Sequence, residues 1–318
     1  MATQSGTPPL GKFLASTDKK TRDKAIKGLA TFLSDPSKDE LPKLEMAKLW
    51  KGIFYCFWMS DKPLVQQALA SEIAEILLSI TSNTASLGFL RGFWEAIVRE
   101  WSGIDRLRID KYYMLVRRFI NASFRVLMRA EWDETLVNEY TSIMTSRGGP
   151  LCAEDTRVPS SLTYHLADIY LEELNKALAN PPTPSSLPAP LSSLLSPYFN
   201  LAARTPSNVT YQRIQSALID PLFAALSTEG ESNAGASNQK RSKPTASDNT
   251  YPNIIENSCG TDPKEGPLDK VSLRKVLLAR LFDIASEQDT RDSNRRKLYA
   301  VWKTYVDDEV DEHPLDAS

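Results

Sequence analysis

The stretch from Phe89 to Arg129 constrains the fold more than any other part of the chain. Phe89, Leu90, Phe93, Trp94, Ile97, Val98 and Trp101 recur at i, i+4, i+5 and i+8, which is one broad apolar face of an α-helix. Ser102-Gly103 interrupts the pattern, and Asp105 sits where an N-cap belongs. A longer helix then runs through Ile109, Tyr112, Val116, Phe119, Ile120, Val126 and Leu127, which share one side at about 100° per residue. Lys111, Arg118 and Arg125, spaced by sevens, fall on another side, with Arg129 close to the same line. The stretch predicts two antiparallel helices joined by a short turn, apolar inward and basic outward.

The same period runs through the rest of the chain. Residues 1–12, rich in Thr, Ser, Gly and Pro, are predicted to be disordered. A helix over Asp18–Leu33 buries Ala25, Ile26, Leu29 and Leu33 and ends at Asp35-Pro36. The next starts near Pro42 and runs to Met59. Its Ile53–Trp58 run has strand propensity, but no other convincing strand exists to pair with it, so it reads as a buried helix. Ser60-Asp61 is placed to cap a third helix, with Pro63 near its first position and Val65, Leu69, Ile73, Leu77 and Ile80 at helical spacing. Helices over Glu131–Ser146, stopped by Gly148-Gly149-Pro150, and Ser160–Leu178 complete a body spanning residues 13–180.

A Pro-rich linker over 181–190 is expected to be extended and stiff. Short helices cover 191–226, and the Ser-, Asn-, Thr- and Gly-rich run 227–266 reads as a disordered internal loop. Helices Leu268–Ala285 and Thr290–Tyr305, within 267–306, are expected to dock back on the body. Leu298, Val301, Trp302 and Tyr305 form the buried stripe of the second. An acidic tail occupies 307–318. No long alternating pattern appears anywhere, so the class is all-α: an irregular HEAT-like solenoid of antiparallel helix pairs. No exact repeat period is found, and the solenoid is inferred from helix pairing alone.

Of 318 residues, 42% are hydrophobic and 25% charged, an ordinary globular balance. Cys56, Cys152 and Cys259 lie far apart with no CxxC pair, which argues against a disulfide scaffold and for a reducing compartment. The first ten residues lack a basic segment followed by an apolar run, so no secretory signal is read. Leu49–Met59, the most apolar stretch, is far shorter than the roughly 20 residues a membrane span needs. The chain reads as a soluble intracellular protein.

Catalytic chemistry is mostly absent from the sequence. With only His165 and His313, HExxH and three-His zinc sites are excluded. His165, among Tyr164, Leu166 and Ile169, reads as a hydrogen-bonded packing residue. No Gly-rich loop has the GxGxxG or GxxxxGK[ST] form, and adjacent Glu172 and Glu173 suit a solvated helix face better than an acid/base pair. The reading is a non-enzyme with no cofactor, metal or small-molecule substrate.

Binding chemistry is better represented. The net charge of −2 hides an asymmetry: residues 1–130 hold 20 Lys/Arg against 13 Asp/Glu. Such a basic half either binds phosphate and acidic partners or faces the acidic remainder of the chain. Lys111, Arg118, Arg125 and Arg129 are candidates for contact with RNA or an acidic partner, because arginine suits bidentate phosphate binding. The alternative is pairing with Glu95, Glu100 or Glu131. Arg106 and Arg108 flank a helix start, where the dipole makes cations costly unless they find anions. Trp50, Trp94, Trp101 and Trp302 read as core, not as base-stacking platforms. Trp58, Met59, Asp61 and Lys62 lie at a helix junction and are candidates for a protein contact. Lys240, Arg241 and Lys243 form either a nuclear import signal or a solvated basic patch.

Several of these words also carry a resemblance. Phe93-Trp94-Glu95, Arg99-Glu100-Trp101, Gly103-Ile104-Asp105-Arg106 and the run Asp110–Arg118 resemble the eukaryotic ribosomal RNA-processing protein 1 family of nucleolar large-subunit assembly factors. Arg22–Ala25, Leu49–Gly52, Trp58–Pro63 and His165 with Asp168–Leu174 follow the family in the same order, so the match covers residues 13–178. The resemblance implies a helical-repeat body and a non-catalytic scaffold in the nucleus and nucleolus. It further implies contacts with the pre-60S particle, other assembly factors and precursor rRNA, supporting spacer processing without cleavage. A different class of function, a helical trafficking adaptor whose basic half faces anionic lipid or partner proteins, stands as the alternative.

Overall fold

The structure, a computed structural model, describes residues 10–14, 16, 18–35, 41–183, 186–227 and 250–312, the side chains of residue 19 and of 307–312 aside. The chain divides into two compact units, 1–169 and 170–318. Both are built of helices. The only strands among the described residues are the two-residue β1 (Ala189–Pro190) and β2 (Ser258–Cys259).

The first unit holds α1 (Leu10–Leu14), α2 (Lys19–Leu33), α3 (Lys43–Trp58), α4 (Pro63–Ser79), α5 (Asn83–Glu100), α6 (Ile109–Arg129) and α7 (Glu134–Thr145). α8 (Ser160–Leu178) begins in this unit and continues past its boundary. α1 packs on α3, α3 on α5 and α5 on α7, while α2 packs on α4 and α4 on α6. Every second helix is therefore a neighbour, which is the arrangement of two layers of stacked antiparallel pairs expected of a HEAT-like solenoid.

Local chemistry explains the starts. Asp18, Ser82 and Asp133 each accept a hydrogen bond from the backbone N–H three residues on, capping α2, α5 and α7. Asp105 does not cap α6: it accepts from the Leu107 N–H at 3.0 Å in a turn ahead of a helix whose own N-cap is Arg108. Ser60-Asp61 does not cap α4 either. The Ser60 hydroxyl donates back to the Phe57 carbonyl at 2.7 Å, and Lys62 occupies the N-cap position.

The core gathers where α3, α5 and α6 meet. Phe93 stacks on Phe119 at 3.7 Å between ring centroids. Trp50 lies 4.5 Å from Phe89 and 5.4 Å from Phe93 and donates its indole N–H to the Phe89 carbonyl at 3.0 Å. Ile53–Trp58 is helical and largely buried, as read from the sequence. α5 comes close to α3 at Gly92, where an added Cβ would stand 2.4 Å from Trp50 Cδ1.

After α7, Gly148 adopts a φ of +88°, and a Cβ on Gly149 would stand 2.2 Å from the Ile143 carbonyl oxygen. Only glycine fits this turn. Buried Asp155 holds it closed, accepting from the Gly148 N–H at 3.2 Å and from Arg157 Nε and Nη2 at 2.9 and 2.7 Å.

The second unit contains α9 (Leu191–Arg204), α10 (Asn208–Ile214), α11 (Asp220–Leu226), α12 (Pro252–Glu256), α13 (Lys270–Ser286) and α14 (Asp292–Glu312). The hairpin of α13 and α14 packs on α9, and α13 also on α11. A π turn over Gln215–Ile219 joins α10 to α11. Pro221 has no N–H to return to the Ala217 carbonyl, and the widened turn accommodates it.

Several boundaries differ from the sequence reading. Residues 10–12 belong to α1, and α14 continues through residue 312. Residues 250–266, assigned to a disordered loop, carry α12 and β2; the linker's end forms β1 and pairs with β2 in parallel. Lys240, Arg241 and Lys243 lie outside the described residues. Leu298 and Val301 are buried as expected, but Trp302 and Tyr305 are only half-buried. Glu173 is 4% exposed and bonded to Lys176 at 3.1 Å, so it does not lie on a solvated face.

Two tests follow. Gly92→Ala should destabilise the first unit by about 1–3 kcal/mol through overpacking. Gly88→Ala, where nothing lies within 4 Å of the new Cβ, should stabilise it by about 0.5–1 kcal/mol; thermal unfolding followed by circular dichroism reads both. The Arg157 hydrogen bonds hold the Asp155 carboxyl well below the usual carboxylate range, aided by the Arg157 and Gly148 N–H groups and opposed by burial. Its folded value is depressed, so its contribution is present above the ordinary value of about 3.9 and lost as pH falls through the folded one. Asp155→Asn should therefore lower stability at neutral pH and flatten the acid limb of the stability profile, as measured by urea unfolding.

Candidate functional site

The basic residues of α6 do not form the free stripe that their spacing suggests. Lys111 is buried, 5% exposed. Its Nζ donates to the carbonyls of Phe57, Trp58 and Ser60 at 2.9, 2.8 and 2.7 Å. These carbonyls lie at the C-terminal end of α3, where a cation also meets the negative end of the helix dipole; those of Phe57 and Ser60 accept in addition from the Ser60 hydroxyl and Gln66. Burial lowers the Lys111 pKa to about 8; nearby Arg108 adds to the shift, and Asp61 and Asp105 oppose it. Next to it, Tyr112 Oη donates to the Phe54 carbonyl at 3.2 Å.

Arg129 does the same for α4. It donates to the Leu78 carbonyl at 2.8 Å and to Asn83 Oδ1 at 2.7 Å, and burial lowers its pKa. Arg125 forms a fork with Glu75, including an Nη2–Oε2 contact of 3.3 Å. Of the acids named as alternatives, Glu95 pairs with Lys43 at 3.2 Å and Glu100 with Arg99 at 2.8 Å. Arg118 is exposed and makes no ion pair among the described residues.

The structure brings the start of α6 and the α3–α4 junction together, two candidates that the sequence treated separately. The Arg108 guanidinium lies 4.8 Å above the Trp58 ring and pairs with Asp105. Trp58, half-buried, packs on Phe54 at 5.9 Å and Tyr112 at 6.4 Å. Gln66 Nε2 donates to the carbonyls of Ser60 and Asp61, both at 3.0 Å, which stiffens the junction. Met59 is half-buried, whereas Asp61, Lys62 and Arg106 are exposed.

Apolar exposure at the same edge was not read from the sequence. Leu107 is 91% exposed, Leu64 79% and Tyr55 46%. Leu107 follows Arg106 in the turn before α6, and Leu64 follows Lys62 and Pro63 at the start of α4. A signal existed: Leu64 falls outside the apolar period of α4, and Leu107 precedes the apolar period of α6. Large apolar side chains held in water next to cations on a rigid edge suit contact with another macromolecule.

His165 behaves as a packing residue. Its Nε2 lies 3.1 Å from the Tyr113 carbonyl, its ring 4.4 Å from the Tyr113 ring, and burial lowers its pKa. Cys56, Cys152 and Cys259 are free and buried. Among the described residues no helix is long and apolar enough to cross a membrane.

Comparison with known proteins gives a consistent answer. The model of a family described as nucleolar protein, Nop52, matches residues 5–302. The chain is 31% identical to ribosomal RNA processing protein 1 homolog A of Homo sapiens, over 96% of this chain and 72% of that protein. It is 30% identical to homolog B of Homo sapiens, over 92% of this chain but 42% of the relative. The ribosomal RNA processing protein 1 homolog of Dictyostelium discoideum is 25% identical over 92% of this chain and 57% of its own length. The chain therefore spans only about half of the latter two relatives.

Lys111→Met should remove three donated hydrogen bonds and leave the Trp58 carbonyl unanswered, while the Phe57 and Ser60 carbonyls keep the Ser60 hydroxyl and Gln66 as donors, costing about 1–3 kcal/mol in urea unfolding at neutral pH. Arg118→Glu and Arg106→Glu should leave stability within about 0.5 kcal/mol of the parent.

Proposed function

The chain belongs to the Nop52 family of nucleolar proteins, and from that premise we propose that it is a non-catalytic scaffold of large-subunit ribosome assembly. In this reading it joins the pre-60S particle and supports spacer processing of precursor rRNA by holding RNA and neighbouring assembly factors in place. Chemistry on the RNA would come from other components. A residue set built for packing and capping supports binding as its mode of action. His165 packs half-buried against Tyr113, the cysteines are buried, and Asp155 is committed to a turn.

One observation carries the choice of contact surface: the 91% exposed Leu107 and 79% exposed Leu64, beside the solvent-facing Arg106 and Lys62. Burying two such leucines in a partner is worth roughly 1.5–3 kcal/mol each. That would account for a contact of useful strength on an edge which the Lys111 clip keeps rigid. The tagged protein carrying Leu64→Ser, Leu107→Ser and Arg106→Glu should fold normally yet shift from preribosomal fractions to free protein in a sucrose gradient. A variant that sediments with the particles like the parent would remove the edge from consideration.

A further inference from the structure

On the α13–α14 hairpin three aromatic side chains meet in view of solvent. Phe282 is 40% exposed, and its ring lies 5.3 Å from Tyr299 and 5.2 Å from Trp302. The rings are tilted by 50° and 52°, so neither neighbour lies flat on the Phe282 face. Ser286 Oγ lies 3.0 Å from Tyr299 Oη, anchoring one corner. Leu298 and Val301 supply the buried contact of α14, whereas Tyr299 and Trp302 are only half-buried.

The cations around it divide into two sets. Those facing the interior are engaged in the fold: Arg274 with the Tyr305 carbonyl, and Arg295 with the carbonyls of Ala285, Glu287 and Thr290. Lys275, Arg296 and Lys303 are exposed on the hairpin with no ion pair among the described residues. Asp283 is the single acid of α13. Flat π faces beside unpaired cations match a strand of bases and phosphates: bases stack on rings whatever their identity, and phosphates take the charges.

We propose that Phe282, Tyr299 and Trp302 form a stacking platform for single-stranded nucleic acid, with Lys275, Arg296 and Lys303 holding its phosphates. RNA is the form that the proposed nucleolar function supplies, and the choice of RNA rests on that reading. The platform itself is separate from the docking edge of the first unit.

The test is fluorescence anisotropy of a short labelled oligouridylate with the full chain, over a range of salt concentrations. Phe282→Ala should weaken binding about fivefold or more, the worth of one base–ring stack. Lys275→Glu with Lys303→Glu should lower the salt slope by roughly 0.7 per lost cation. Asp283→Lys should tighten binding. All four positions are exposed, and circular dichroism checks that each variant is folded. Leu64→Ser with Leu107→Ser should leave the oligonucleotide affinity unchanged, so failure of the docking edge is distinguishable from failure here. Equal affinity of the parent and Phe282→Ala, or no binding by the parent at low salt, overturns the proposal. So does a Phe282→Ala variant that keeps the oligonucleotide but loses a protein component of the particle, which would make this face a protein contact.

Discussion

Trp50 is the point on which the first unit depends. Its indole reaches from α3 onto Phe89 and Phe93 of α5 and lies 5.6 Å from Phe119 of α6, tying both layers of the stack at one place. The approach is possible only because Gly92 has no side chain beneath it. Aromatic rings bury large areas with few torsions to freeze, so a cluster of four is an efficient way to set helix spacing. Neighbouring pairs then stack outward from this register, and the ends of α3 and α5 arrive at one edge.

A second constraint recurs in both units. Helices that end inside a packed stack leave carbonyls that water cannot reach, and these must find donors. Lys111 answers α3, Arg129 answers α4, and Arg295 answers the end of α13. Buried Asn294 does the same for α9 through the carbonyls of Ala202 and Thr205 at 3.0 and 2.8 Å. Long side chains from a neighbouring helix thus serve where local capping residues are missing. Lys111 and Arg129 of the basic first half are spent in this way, which leaves a smaller and differently placed set of cations for contact with other molecules.

The surfaces that remain are defined by apolar groups as much as by charge. Leu64 and Leu107 on the edge of the first unit, and the Phe282 cluster on the second, each stand beside cations without a structural duty. A protein that works by holding other molecules needs such surfaces to be stiff. Here stiffness comes from the hydrogen bonds that close the α3–α4 junction and from the packing of the α13–α14 hairpin.

The amino-acid sequence by itself determined the class and most of the elements. Apolar period, Asp18 and Pro63 are local features, and local features act before any tertiary contact forms; α2, α3 and α8 lie where those signals put them. The words shared with the ribosomal RNA-processing protein 1 family were legible for the same reason, being contiguous. Only the tertiary structure decided what each cation does. Lys111, Arg125 and Arg129 share one helix face and one charge with Arg118, yet one is a buried clip, two are bonded to α4 or its end, and one is free. A lysine that caps a carbonyl and a lysine that meets a phosphate are the same residue at the same spacing, and the difference lies in which helix end packs against it. The order of residues 250–259 was hidden likewise, because their hydrogen bonds run to Asn175 and Ala189, far away in the chain.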